Sequence, residues 1–195
     1  MTKKIKVLLI GYPSSKVRDF LSKETELIFS DGNKVLKLND IKKINPEIIV
    51  SYKCQYLLTK DIVTEYKNKL INLHGSMLPH NRGAHPNVWS FLENTPKGGT
   101  IHYIDEGIDT GDILVQKEIK VSEDDTLKST YWKIRTLLEN LLINNWSDIV
   151  NNKIKPQKQD KNSGSLHYKQ DLDKVRNLFR NNWNTKVNEV NYENN

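Results

Sequence analysis

The chain has 195 residues, and its 30 Lys and Arg against 24 Asp and Glu give a formal net charge of +6. No apolar run approaches the roughly 20 residues that a membrane-spanning helix needs, so we expect a soluble protein without membrane contact. A single cysteine, Cys54, excludes a disulfide framework within the chain and a zinc site built from several cysteines. This cysteine usage predicts a reducing, cytoplasmic setting.

The positive charge is spread along the chain rather than clustered. It comes from 25 Lys and 5 Arg, and the chain also contains 22 Asn. Nucleic-acid-binding proteins usually concentrate their charge and use forked arginine contacts. We therefore predict a solvated basic surface and no nucleic-acid partner. A basic nucleic-acid-binding module is the alternative from outside the enzymes.

Strand and helix patterns alternate through the first part of the chain. Four segments have the apolar character of strands: Ile5–Ile10, Glu26–Ser30, Glu47–Val50 and Leu70–His74. Helical segments lie between them: one that follows Ser14 or Ser15, a short turn at Asn39-Asp40, and Thr59–Tyr66. This alternation predicts an α/β protein with an open, mainly parallel, Rossmann-like sheet that carries helices on both faces.

The pattern changes after His74. Residues 75–87 form a long loop, and the next elements are a helix, two strands and a long helix that Asp125 caps: Pro86–Leu92, Thr100–Ile104, Ile113–Ile119 and the apolar stripe Leu127, Tyr131, Ile134, Leu138, Leu141. After Val150 the composition becomes polar and resembles a linker as far as Gly164. A short amphipathic helix follows, and the last 15 residues, seven of them Asn, predict a mobile tail. We therefore divide the chain into a catalytic domain, residues 1–150, and a short, partly flexible extension, residues 151–195.

Residues suited to catalysis gather at the end of the fourth predicted strand. Asn72 and His74 lie two apart, so they share one face of the strand, at the edge where open α/β sheets build their sites. An amide and an imidazole, with an Asp from the loop at residues 105–111, can move a proton while a carbonyl oxygen gains charge. The alternative is an ordinary hydrogen-bonded pair. His80, His85 and His102 fit no standard zinc spacing with His74, so we expect no metal.

Several motifs then occur in a fixed order: Asn72-Leu73-His74-Gly75-Ser76-Met77-Leu78-Pro79, Arg82-Gly83, Gly98-Gly99-Thr100-Ile101-His102 and residues 105–113. This string resembles the N10-formyltetrahydrofolate-dependent formyltransferase family. That family includes methionyl-tRNA formyltransferases, glycinamide ribonucleotide formyltransferases and sugar N-formyltransferases. The resemblance covers roughly residues 1–150, and it implies the same parallel α/β fold.

The resemblance also implies roles for individual residues. Asn72 polarises the formyl oxygen, His74 assists and takes part in deprotonating the attacking amine, and Asp109 pairs with His74 and relays the proton to the departing folate nitrogen. Thr100 and His102 support the site or serve only the fold. The implied residues for N10-formyltetrahydrofolate are Tyr52, Cys54, Tyr56, Leu57, Asp105 and Ile108. The residues predicted to bind the acceptor substrate are Arg82, Trp89, Tyr103 and Lys133.

Three departures within the family favour the sugar N-formyltransferases. Residues 11–15 lack the glycine-rich phosphate loop of the glycinamide ribonucleotide enzymes, and about 45 residues after Val150 are too few for the RNA-binding domain of the tRNA enzymes. The segments at residues 86–98 and 101–105 look most like the sugar enzymes. We therefore expect formylation of a nucleotide-linked amino sugar for surface polysaccharide (O-antigen, lipopolysaccharide) synthesis. The alternatives are glycinamide ribonucleotide formylation and formyltetrahydrofolate hydrolysis. A homodimer could form through the Asn-rich C-terminal stretch or the strands after Gly111.

Overall fold

In the computed structural model, which describes residues 4–190, the strands are β1 (Lys6–Gly11), β2 (Glu26–Asp31), β3 (Ile48–Tyr52), β4 (Leu70–His74), β5 (Arg82–Gly83), β6 (Gly98–Tyr103), β7 (Ile113–Glu118) and β8 (Leu166–His167). The helices are α1 (Ser15–Glu24), α2 (Leu38–Ile44), α3 (Lys60–Glu65), α4 (Pro86–Leu92), α5 (Leu127–Val150) and α6 (Asp171–Val175). Within these residues, no helix is both long enough and apolar enough to cross a membrane.

One six-stranded sheet organises the molecule, in the order β2-β1-β3-β4-β6-β7. The first four strands pair in parallel, whereas β6 runs antiparallel to both β4 and β7. This arrangement confirms the predicted α/β class with a mainly parallel sheet. The strands β6 and β7 are antiparallel to each other because a loop connects them directly, without a crossover helix.

Helices cover both faces of the sheet because β1 is apolar on both sides. Val7 and Leu9 pack in one core cluster with α1 and α5, and Leu8 and Ile10 pack in another with α2 and α3. The same alternation holds in β4, where Ile71 and Leu73 lie in the cluster beneath α5. The side chains of Asn72 and His74 therefore point to the opposite face of β4.

The N-cap of the long helix α5 lies one residue after the predicted cap. Thr126 is the N-cap, since its side chain accepts a hydrogen bond from the backbone N–H of Ser129. Asp125, the predicted cap, instead accepts from the backbone N–H of Ser122 and the hydroxyl of Ser129. Tyr131, expected in the buried stripe, is 38% exposed, while the other four stripe residues are buried as predicted.

Gly99 on β6 lets α5 approach the sheet closely. A Cβ atom at this position would lie 2.7 Å from a methyl carbon of Leu138. The missing side chain of Gly99 makes room for the helix.

We therefore expect Gly99→Ala to lower the free energy of unfolding by about 1–3 kcal/mol, as overpacking usually does. Urea denaturation measures this loss. Gly75→Ala is the control, because a Cβ there meets its neighbours at 3.4 Å or more. Pairing Gly99→Ala with Leu138→Ala should cost less than the sum of the two single changes, and strict additivity would contradict the assignment.

The segment after Val150 is built into the molecule rather than left as a linker. We name residues 157–167 the strap. At its start, Gln157 exchanges two backbone hydrogen bonds of 2.8 Å with Ile113. At its end, β8 pairs in parallel with β5. The strap therefore connects the last sheet strand to the loop that follows β4.

The Asn-rich stretch also differs from the mobile tail that the sequence predicted. Residues 182–184 and 187–189 form short 3₁₀ turns, Thr185 is fully buried, and Val190 is 3% exposed. The order comes from apolar packing, because Val190 and Phe179 belong to a third core cluster with Trp89 and Leu127. Residues 191–195 lie outside the described residues.

Candidate active site

The three predicted catalytic residues meet at the carboxyl end of β4. Asn72 donates from Nδ2 to Oδ1 of Asp109 over 3.2 Å. Nδ1 of His74 lies 3.3 Å from Oδ2 of the same carboxylate. The sequence alone suggested that an Asp from the loop at residues 105–111 would reach His74, and the structure brings the two together.

Strand register and loop shape explain this meeting. On the antiparallel neighbour β6, His102 lies opposite Asn72 and Thr100 lies opposite His74, so the four side chains share one face. The loop after β6 then turns back over that face. Asp105 fixes its shape by accepting hydrogen bonds from the Thr110 hydroxyl and the Gly107 backbone N–H.

The surroundings of Asp109 favour its ionised form. The carboxylate is 14% exposed, and Oδ2 accepts a 2.9 Å hydrogen bond from the backbone N–H of Gly83. Burial alone would raise the pKa of Asp109. The neighbouring His74 and the Gly83 N–H act against burial, and the pKa of Asp109 lies well below its ordinary value. At neutral pH this residue is therefore a buried anion.

His74 is surrounded by hydrogen-bond acceptors. Its Nε2 lies 3.0 Å from the carbonyl oxygen of Asn81, and its Nδ1 faces Asp109. Burial lowers the pKa of His74, and Asp109 opposes that effect. A neutral imidazole has one N–H and can donate to one of the two acceptors, whereas the protonated ring donates to both. The site thus holds a neutral histidine whose partners stabilise the cation that it forms on gaining a proton.

His102 belongs to the site more closely than the sequence indicated. Its Nδ1 lies 2.7 Å from the carbonyl oxygen of Tyr103, which places the ring proton there. Nε2 is then free to accept from Nδ2 of Asn72 at 3.3 Å, and it lies 3.4 Å from Asp109. Pairing β6 with β4 in the predicted sheet would have revealed this position. Thr100, by contrast, donates to the Ser76 carbonyl and supports the loop.

The residues predicted to bind folate divide into two groups. Asp105 and Ile108 share the loop of Asp109, beside the site. The side chain of Tyr52 is instead 2% exposed and packs with Ile71 and Leu73. It therefore lies on the face of the sheet opposite His74. The others lie in the loop after β3: Cys54 is half-buried, Tyr56 accepts from the Leu36 N–H, and Leu57 is 73% exposed. The contact of all six residues with folate stays a prediction.

The residues predicted to bind the acceptor already have partners within the protein. Arg82 is buried and donates to the carbonyl oxygens of Lys161 and Ser163. Trp89 is buried and stacks on His167 with ring centroids 3.7 Å apart. Lys133 pairs with Asp125, and Tyr103 is half-buried at the end of β6. Their contact with a substrate stays a prediction. Across residues 4–190, no three His, Cys, Asp or Glu side chains lie together in a way that could hold a metal ion.

Solved structures of known proteins share this fold. The formyltransferase PseJ from Anoxybacillus kamchatkensis, solved with UDP-4,6-dideoxy-4-formamido-L-AltNAc and tetrahydrofolate, is 42% identical, with a TM-score of 0.88 over 95% of this chain and 97% of that one. An N-formyltransferase from Helicobacter canadensis, 24% identical, shares the fold with a TM-score of 0.77 over 95% of this chain and 79% of its own.

Curated sequences point to the same family. A methionyl-tRNA formyltransferase from Caldanaerobacter subterraneus is 30% identical over 177 residues, which is 80% of this chain and 57% of the relative. The chain spans about half the length of the curated relatives that it matches. The family model described as formyl transferase matches residues 32–145. The predicted family is therefore confirmed, and this chain belongs to the formyl transferase family.

Proposed function

We propose that this protein transfers the formyl group of N10-formyltetrahydrofolate to the amine of a nucleotide-linked amino sugar. The observation that carries the proposal is the 42% identity, over nearly the full length of both chains, to an enzyme solved with a UDP-linked formamido sugar and tetrahydrofolate. We take UDP as the nucleotide and the 4-amine of the sugar as the acceptor. The formamido sugar would serve surface polysaccharide synthesis.

Asn72 receives the formyl oxygen in this mechanism. Its amide has two N–H groups, which point to Asp109 and His102. The formyl oxygen replaces His102 as the acceptor of one of them, while the bond to Asp109 keeps the amide oriented. The oxygen gains negative charge as the amine nitrogen bonds to the formyl carbon, so this hydrogen bond strengthens in the transition state.

His74 and Asp109 handle the proton. The attacking amine loses a proton as its bond to carbon forms, and the hydrogen-bonded pair of Asp109 and His74 takes it up, because Asp109 and the Asn81 carbonyl stabilise the cation that His74 forms. The bond from carbon to N10 then breaks, and the proton passes by way of Asp109 to N10. The products are a formamide and tetrahydrofolate, so atoms and charge balance without a redox step.

Methionyl-tRNA is the second candidate acceptor. The observation that favours it is the 30% identity to the methionyl-tRNA formyltransferase of Caldanaerobacter subterraneus. Hydrolysis of the folate, in which water replaces the amine, is a third outcome that the same active-site groups can support.

A panel of acceptors distinguishes these functions. Purified protein is incubated with N10-formyltetrahydrofolate and, separately, with UDP-, dTDP- and GDP-linked 4-amino sugars, glycinamide ribonucleotide and methionyl-tRNA, and each product is identified by mass spectrometry. We expect kcat/KM to be at least about tenfold higher for the UDP sugar than for any other acceptor, the size of one lost hydrogen bond to a charged group. Transfer confined to tRNA or to glycinamide ribonucleotide would refute the proposal. Formate release without an acceptor would identify a hydrolase.

A further inference from the structure

The strap contacts both loops that hold Asp109. Lys161 forms an ion pair with Asp105 on the loop after β6. On the other side, the backbone carbonyl of His167 accepts from Ala84, beside the Gly83 N–H that binds the Asp109 carboxylate. The strap thus contacts neighbours of the Asp109 carboxylate on both of these loops.

Gln159 makes the most direct of these contacts. Its Nε2 donates to the carbonyl oxygen of Asp109 at 3.1 Å and to that of Gly111 at 2.5 Å. A primary amide has two N–H groups, so these two bonds use its full donor capacity. Its Oε1 is buried and has no hydrogen-bond partner among residues 4–190. An ordinary surface glutamine would leave that oxygen in water, so the side chain is directed inward toward the loop.

The backbone of Asp109 needs such a support. Its φ is +52°, in the left-handed region that residues with a Cβ rarely adopt. In this conformation the carboxylate reaches Asn72, His74 and the Gly83 N–H at once. A turn to an ordinary φ would swing the side chain away from these partners, and the Gln159 bonds oppose that turn by holding the carbonyls of residues 109 and 111.

We infer that Gln159 is a positioning residue that holds the Asp109 loop in its reactive conformation. It touches neither the formyl group nor the acceptor in the proposed mechanism, and it acts through Asp109. The expected effect of Gln159 on the reaction rate rests on the proposed function. Its effect on the position of the Asp109 carboxylate rests on the geometry alone.

Gln159→Leu tests the inference, because it removes both N–H groups and keeps a side chain of similar size. We expect kcat to fall about tenfold to a hundredfold, while KM for both substrates changes less than twofold, as expected when a reacting group is misplaced. Gln157→Leu is the matched control. It makes the same change two residues earlier, where the side chain is exposed and the contacts of the strap are made by backbone. Wild-type kcat in Gln159→Leu would overturn the inference.

A second readout does not depend on the reaction. Histidine side chains labelled with ¹⁵N are titrated by NMR in the wild type and in both variants. Because Asp109 raises the pKa of His74, a displaced carboxylate should lower the pKa of His74 in Gln159→Leu and leave it unchanged in Gln157→Leu. An unchanged His74 titration would overturn the inference even if no acceptor were found. If Gln159→Leu does not fold, Gln159→Met, which also lacks both N–H groups and adds no charge, carries the same expectations.

Discussion

Asp109→Asn should lower kcat about a thousandfold or more. The change keeps the size of the side chain but removes the anion that pairs with His74, and neutralising the Asp that orients a catalytic histidine has effects of this order. One carboxylate oxygen also becomes an NH₂ group, which cannot accept a hydrogen bond. The side chain therefore loses the bond from the Gly83 N–H or the bond from Asn72. Single-turnover kinetics with saturating folate and sugar measure the loss at the chemical step.

The same variant has an expected effect on titration. In the wild type, burial places the pKa of His74 below its ordinary value and Asp109 raises it in part. A basic histidine is active when neutral, so activity that depends on His74 should decline as the pH falls through this lowered pKa. In Asp109→Asn that pKa should move lower still. Asp112→Asn, later in the same loop, serves as the control, and an equal loss of kcat there would show that the effect is general loop damage.

Asn72→Asp should lower kcat about a hundredfold to a thousandfold, the range found when a donor to a developing oxyanion is removed. The new carboxylate would lie where Nδ2 now donates to Asp109 at 3.2 Å, so two like charges would meet. One of the two carboxyl groups would then keep a proton to a higher pH than usual. The variant should therefore lose rate and gain a new ionisation in its pH profile.

Asn39→Asp is the matched control for this change. It adds the same charge on the exposed first turn of α2, far along the chain from the site. We expect its kcat to equal that of the wild type. Equal activity of Asn72→Asp and Asn39→Asp would contradict the role given to Asn72.

The sheet was predictable because its strands are short and strongly apolar. Segments such as Ile5–Ile10 are apolar on both faces, so both faces must be buried, and helices must then cover both sides of the sheet. The direction of β6 was not predictable in the same way. Alternating patterns do not distinguish a parallel from an antiparallel strand.

The meeting of Asn72, His74 and Asp109 was predictable, and the contacts that support it were not. Because strand side chains alternate between the two faces of a sheet, Asn72 and His74 lie on the same face. The same alternation places the side chain of Tyr52 on the face of the buried Val50, in the core cluster beneath α5. His102 required the pairing of β6 with β4. The strap escaped prediction for a physical reason: its contacts are single hydrogen bonds from polar side chains such as Gln159, and these leave no periodic pattern in the sequence.

A competition experiment tests the central claim most directly. One mixture contains the protein, a limiting amount of N10-formyltetrahydrofolate labelled in the formyl group, and equal concentrations of a UDP-linked 4-amino sugar, glycinamide ribonucleotide and methionyl-tRNA. The amount of label in each acceptor is then measured. We predict that nearly all of the label enters the sugar as a formamide. Label in the tRNA or in glycinamide ribonucleotide, or label released as formate, would contradict the account.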